Sequence, residues 1–440
     1  MQKDVSAAAG FALCLMALAL WGVGCGTDPS SGGEGSRFTP IEADAATFWD
    51  RQTTETGEFL GSIVSEFNEA SDGLPVKVVQ SGNYGDIYRK VTASIQAKRL
   101  PAMAVAYESM TAEYARSGAV VAIDELIAQP GTGLTEEELG DFFPALIETN
   151  TFSQLGGKMY SFPFSKSVLM LYFNKRVLAE AGLTGPPGTW DEFLDQCRAI
   201  KAKTGKYAIA IDVDASSMDG IIFSMGGDVL ENGKTTFDSE ESIRAFELIE
   251  TLAKEELAYQ ITPRTFNDES DFQQDKVAFT MRTSAGKASL ARLMADDNAW
   301  GMARLPQDDP ANPHTVLFGS NISIFDTNRE QRDAAWAFTK HFTSTEVSVK
   351  WALTTGYLPG RKSALDHPLM KAFFSEWEYN RVPFENLAFA KAEPNVIGWQ
   401  RVRGLIENAE TAVLAGVKSA REAALELKEE ADWALAAAAQ

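Results

Sequence analysis

The sequence predicts an α/β protein built from two strand–helix units. Three observations lead there. Short apolar runs alternate with helical stretches whose apolar residues recur at three- and four-residue spacing. The chain has 440 residues, 45% of them hydrophobic, enough for two cores of roughly 150–200 residues each. It carries only three cysteines, so apolar cores rather than disulfides must hold it together.

The elements follow in order. Ala45–Trp49 reads as the first strand. The helix expected over Gly57–Ala70 sets Phe59, Leu60, Ile63, Val64 and Phe67 on one face. A strand at Val76–Gln80 precedes a helix over Ile87–Arg99 with Ile87, Val91 and Ile95 in one stripe, and Ala102–Ala106 is the third strand. The pattern resumes with an apolar strand at Val168–Phe173. A helix at Trp190–Lys203 follows, with Thr189 as N-cap, and then a strand at Tyr207–Ile211. A helix over Ser239–Leu257 buries Ile243, Phe246, Ile249 and Leu252. Val277–Met281 and Leu317–Phe325 read as strands, Glu330–Phe342 and Glu346–Leu353 as helices, and Leu405–Ala438 as one or two amphipathic helices.

The N-terminus has another purpose. Phe11–Val23 is an uncharged apolar run ending at Gly24-Cys25, followed by a Gly/Ser-rich stretch to Ser36. This resembles a bacterial lipoprotein signal. It implies removal of residues 1–24, lipidation of Cys25, and a tether over 25–37 that ties an exported body to a membrane. An ordinary secretory signal with an incidental Cys is the other reading. No later segment approaches the roughly 18 continuous apolar residues of a membrane span. With Cys14 removed and Cys25 modified, Cys197 is left alone, and its apolar helical setting predicts a buried inert thiol.

A formal net charge of −21 excludes nucleic acid as a partner, because no basic stripe offsets it. Catalytic patterns fail at required positions. Gly233-Lys234-Thr235 lacks the earlier glycine of a phosphate loop, where Asp228 stands. Thr283-Ser284-Ala285-Gly286 has Arg282 where a nucleophile elbow needs glycine. Asp212-x-Asp214 opens like a calcium loop, but Ser217 and Phe223 occupy its glycine and glutamate positions. The three histidines, His314, His341 and His367, form no HExxH pair. No enzyme activity, cofactor or metal is expected.

Several segments, taken together in order and spacing, are similar to the extracellular solute-binding proteins of ABC importers, in the sugar and glycerol-phosphate group. They are TFWD (Thr47–Asp50) with FNEA (Phe67–Ala70), GNYGD (Gly82–Asp86), LPAMAVAYES (Leu100–Ser109) and FPFSKSVLMLYFNKRVLAEAGL (Phe162–Leu183) with PPGTWDEF (Pro186–Phe193). AFTMRTSAG (Ala278–Gly286), GSNISIF (Gly319–Phe325) and GYLPGRKSAL (Gly356–Leu365) complete the set. The resemblance implies a two-lobed periplasmic-binding-protein fold of type II, with discontinuous lobes closing on a ligand at the hinge. Lobe one is expected over 38–163 and 319–358, lobe two over 164–316 and 360–440. A permease's transmembrane subunits are the implied partner, and a monomer is expected.

Carried over residue by residue, the resemblance implies a ligand site of Tyr84, Glu108, Ser167, Thr283, Ser284, Gly319, Tyr357 and Arg403, with Arg401 competing for the last role. The chemistry is coherent. A phosphate wants an arginine fork, hydroxyl donors and backbone N–H groups, and a polyol wants a carboxylate such as Glu108. The glycerol-phosphate-binding members carry Trp residues in the segment that here runs Ile211–Gly226, where this chain has none. A larger ligand such as a glycerophosphodiester then competes with sn-glycerol 3-phosphate. A neutral sugar stacking on Trp49, Tyr107, Trp377 or Trp399 is the alternative. Lys166 adjoins the expected site and favours an anion, or is a surface lysine. Two other classes compete with importer function: an exported glycosidase or phosphodiesterase, and a sensor or adhesin that binds protein.

Overall fold

Thirteen consecutive residues, Phe162–Asn174, form one strand in which every residue is buried. This is seen in the computed structural model, which describes residues 36–262, 265 and 267–440. The expected signal segment, Cys25 and all of the tether but Ser36 and Arg37 lie outside the described residues. The strand is longer than the Val168–Phe173 expected, because its first half is punctuated by Ser165, Lys166 and Ser167, which break the apolar run. Tertiary partners make those residues tolerable. Lys166 Nζ lies 2.9 Å from Glu108 Oε1 and also donates to the Gly319 carbonyl at 3.1 Å. Lys166 is therefore a core residue, 1% exposed, and not a surface lysine.

This strand and Thr315–Ile324 pass between two halves of one sheet. The strand order is Ala258–Gln260, Tyr207–Ile211, Val277–Thr283, Phe162–Asn174, Thr315–Ile324, Met103–Ala106, Ala46–Asp50 and Val76–Gln80. Up to Val168, Phe162–Asn174 pairs antiparallel with Thr315–Ile324. From Leu169 onward it pairs with Val277–Thr283 and then also with Trp300–Ala303. Parallel pairing holds on either flank: Ala46–Asp50 with its two neighbours, and Tyr207–Ile211 with its two. Gly319 sits where the long strands cross. Its φ is +103°, and a Cβ there would stand 1.9 Å from the Ser165 carbonyl oxygen, so only glycine fits.

Each sheet half buries its own helices. Phe48, Ile63, Phe67, Phe338 and Trp351 share one core. Leu169, Phe193, Ile209, Phe246, Phe279 and Ile406 share another, which includes Cys197. Full burial of each such side chain is worth about 1.5–3 kcal/mol, so dispensing with disulfides is affordable. Cys197 is free, and burial pushes its thiol well up, which keeps it inert.

Helix boundaries followed capping chemistry. Thr189 caps Trp190–Thr204 in a reciprocal box with Glu192. The helix expected from Ile87 instead begins at Tyr84, because Asn83 and Asp86 form the same box one turn earlier. A helix at Ala215–Ser224 was not anticipated. It is buried on nearly all sides and so has no amphipathic period to detect. The C-terminal segment resolves into two helices, Trp399–Leu414 and Ala420–Ala438. No helix among the described residues is long and apolar enough to cross a membrane.

Candidate ligand cavity

The ends of the parallel strands converge on one cavity of about 300 Å³. Arg51 directly follows Ala46–Asp50, and Tyr107 directly follows Met103–Ala106. Asp212 follows Tyr207–Ile211, and Arg282 and Thr283 close Val277–Thr283. Side chains just beyond the carboxyl ends of strands are where open α/β sheets bind ligands. Tyr84 is held at the cavity by the capping box that starts its helix. The crossing strands supply Ser167, Phe318 and Gly319.

Of the expected site residues, Tyr84, Ser167, Thr283, Gly319 and Tyr357 line this cavity. Three do not. Ser284 lies beside it with a buried hydroxyl that has no hydrogen-bond partner among the described residues. Glu108, expected to accept ligand hydroxyls, is 6% exposed. One of its oxygens accepts from Lys166, from Asn321 at 2.9 Å and from Thr149 at 3.0 Å. Burial pushes its carboxyl up, but Lys166 and Asn321 more than offset this and hold it below the usual range. Its surroundings are those of a structural counter-ion to Lys166.

Arg403, expected to grip a phosphate, is 5% exposed and already surrounded by acids. It bonds Glu393, lies 3.6 Å from Asp214, and donates to Ser216 at 2.8 Å. Arg401, its competitor, instead covers the Trp433 ring at 4.8 Å. Among the four aromatics considered for stacking, Tyr107 lines the cavity, whereas Trp399 is a core residue, Trp49 sits under Lys90, and Trp377 packs on Trp300.

One wall is a ladder of rings and cations. Arg51 stands 4.9 Å from the Tyr84 ring, Tyr84 packs on Tyr107 at 4.2 Å, and Arg403 covers Tyr107 at 4.7 Å. From the other sheet half come Asp212, Asp214, Asp268 and Ser217. Arg282 also faces the cavity, paired with Asp268 at 2.7 Å and Glu269 at 2.8 Å. The Trp-less segment 211–226 thus presents an acidic wall. Arg51, Asp212 and Asp214 were not selected from sequence. Their positions within three residues of the ends of predicted strands were the available signal.

Two carboxyls here make stability pH-dependent. Burial is the main cause that raises Asp50 to about 6; it is 1% exposed. Burial, with Asp214 nearby, also raises Asp212 to about 6, though its side chain reaches solvent and weighs less. A carboxyl raised in the folded state takes its proton there first, so folding is favoured as pH falls from neutral through about 6. The melting temperature is expected to be higher at about pH 5 than at about pH 7.5. Asp50→Asn should raise stability at neutral pH by about 1–2 kcal/mol and flatten that slope. An unchanged slope in the variant would remove Asp50 as its source.

A family model of bacterial extracellular solute-binding proteins matches residues 62–376. The sn-glycerol-3-phosphate-binding periplasmic protein UgpB of Rhizobium meliloti (strain 1021) is 24% identical over 425 residues, 90% of this chain and 96% of that protein. UgpB of Brucella abortus (strain 2308) is 23% identical over 415 residues, 89% of this chain and 93% of that protein. Among solved structures, UgpB from Mycobacterium tuberculosis in complex with glycerophosphocholine superposes with a TM-score of 0.79 at 19% identity, covering 91% of this chain and all of that one. The GacH receptor of Streptomyces glaucescens, solved unliganded and with acarbose, gives 0.78 at 21% identity over 91% of this chain and 99% of that one. Both share this chain's fold.

Proposed function

Since the chain belongs to the bacterial extracellular solute-binding protein family, we propose that it captures a glycerol-phosphate-type solute, a glycerophosphodiester above all, for an ABC importer. Members of this family bind and deliver solutes rather than turn them over, and this chain is a binding protein, not an enzyme. The observation that carries the ligand reading is the charge division of the cavity. Arg51 and the tyrosines stand on one side, and Asp212 and Asp214 on the other. A phosphodiester with a cationic or hydroxyl-rich head satisfies both walls, whereas a bare phosphate dianion meets repulsion from the acids. The names of the UgpB relatives, and the glycerophosphocholine bound in one of them, support the same class.

In this reading the lobes are 38–163 with 319–358 and 164–316 with 360–440. The change of strand partners at Val168 supports that division, and ligand binding draws the two sheet halves together. Residues 1–24 are the signal segment, and lipidated Cys25 tethers a monomer beside its permease; an intact mass showing an unmodified Cys25 would discard the anchor. A neutral sugar is the second reading, favoured by carboxylates that accept hydroxyls beside the Tyr84–Tyr107 pair.

Thermal shift tests the choice. Ligand at 100 times its dissociation constant adds about 2.7 kcal/mol. Glycerophosphocholine is expected to raise the melting temperature and maltose to leave it unchanged. A rise with maltose alone would replace the phosphodiester reading with the sugar reading.

A further inference from the structure

We propose that the ligand's anionic group docks on Arg51 and the Tyr357 hydroxyl, and not on Arg403. This rests on the phosphodiester reading above and names the residues that would select for it. Arg403 already has Glu393 and Asp214 as counter-ions, and Arg282 has Asp268 and Glu269. Among the described residues, no carboxylate lies within ion-pair distance of Arg51. The neighbouring Asp50 forms no ion pair with it, and one of its carboxylate oxygens accepts from the Gln52 backbone N–H at 2.5 Å.

Arg51 is nevertheless held in place. Its guanidinium lies over the Tyr84 ring at 4.9 Å, and Nη1 donates to the Tyr357 hydroxyl at 3.3 Å. A guanidinium has five N–H donors in a planar fork, so one long bond to a tyrosine leaves most of them for a ligand oxygen. The ring contact and the hydrogen bond restrain that fork in advance, which lowers the ordering cost of a bidentate contact.

Tyr357 completes the clamp through its proton. Its oxygen accepts from Arg51 at 3.3 Å and from Gln52 Nε2 at 3.3 Å. Two accepted bonds occupy both lone pairs, so the O–H remains as a donor. A donor hydroxyl beside an arginine fork suits an oxygen carrying negative charge and offers nothing to a cation. The Trp351 ring stacked on Tyr357 at 5.9 Å holds the phenol in that orientation. The ligand's uncharged or cationic end then falls toward Asp212 and Asp214.

The test is calorimetric titration of the whole mature chain with glycerophosphocholine and with maltose, for the wild type, Arg51→Gln and Arg51→Lys. Arg51→Gln is expected to weaken glycerophosphocholine by about 100-fold, the loss of a charge-assisted bidentate contact. Arg51→Lys should weaken it by about tenfold, because charge is kept and the fork is lost. The lysine variant decides the matter should the glutamine variant fail to fold. If the wild type binds glycerophosphocholine and both folded variants bind it within about twofold of wild type, Arg51 is not the anion site and the phosphodiester reading stands without it. If the wild type binds maltose and no phosphate ester, that reading itself falls and the anion site falls with it.

Discussion

Lys166→Met is expected to lower the free energy of unfolding by about 3–5 kcal/mol, as removal of one partner from a buried ion pair does. The variant leaves the Glu108 carboxylate buried, with Asn321 and Thr149 as its remaining side-chain donors among the described residues. Methionine matches the lysine stem in length, so lost packing contributes little and the uncompensated charge dominates. Urea denaturation reads the effect directly. The double variant Glu108→Gln/Lys166→Met should recover most of it, because no charge is then stranded. The pH dependence carries a sign. Glu108 is held below its usual range, so the pair stabilises above the unfolded pKa and that stability is lost as pH falls through the lower folded value. The gap between wild type and Lys166→Met should therefore narrow below about pH 4. A single variant within about 1 kcal/mol of wild type would show that the pair contributes no net stability.

Arg403→Ala should be comparably damaging, and its deficit should also shrink in acid, for a different reason. Arg403 holds Glu393 and Asp214, and behind them lies Asp219, fully buried, with neither carboxylate oxygen hydrogen-bonded among the described residues. Burial first, and then Glu393, pushes Asp219 well up, and burial with Asp214 does the same to Glu410. Without the arginine these acids repel each other with no cation among them, a cost of about 3–5 kcal/mol at neutral pH. Because their folded pKa values are raised, protonation relieves the repulsion as pH falls, and the deficit should shrink toward about pH 5. Arg403→Lys should restore part of the stability, since it keeps the charge but not the fork. If Arg403→Ala instead melts with the wild type and loses glycerophosphocholine, the arginine serves the ligand and the acid tie is not its role.

Much of the fold was legible because it rests on local signals. Val76–Gln80 and Tyr207–Ile211 appear as expected, each a short β-branched and apolar run between breakers. The Thr189 cap was readable from side-chain chemistry alone. The family resemblance drew Tyr84, Ser167, Thr283, Gly319 and Tyr357 from widely separated segments, and the fold gathers all five around one cavity.

What local pattern could not supply was the identity of each polar residue's counter-ion. Lys166 lies within a strand, Glu108 and Arg51 just after strands and Arg403 in a helix, and composition does not distinguish them. Tertiary packing does. It sets Lys166 against Glu108 and Arg403 against Glu393, from segments 58 and 10 residues away. Among the described residues it gives Arg51 a tyrosine ring and a tyrosine hydroxyl and no ion-pair partner. Strands, helices and the polar character of the cavity follow from the order of residues, because periodicity and capping act over a few positions. Which arginine is neutralised inside the protein depends on carboxylates brought close in space, because electrostatic pairing in a buried site acts across distance in the fold and not along the chain.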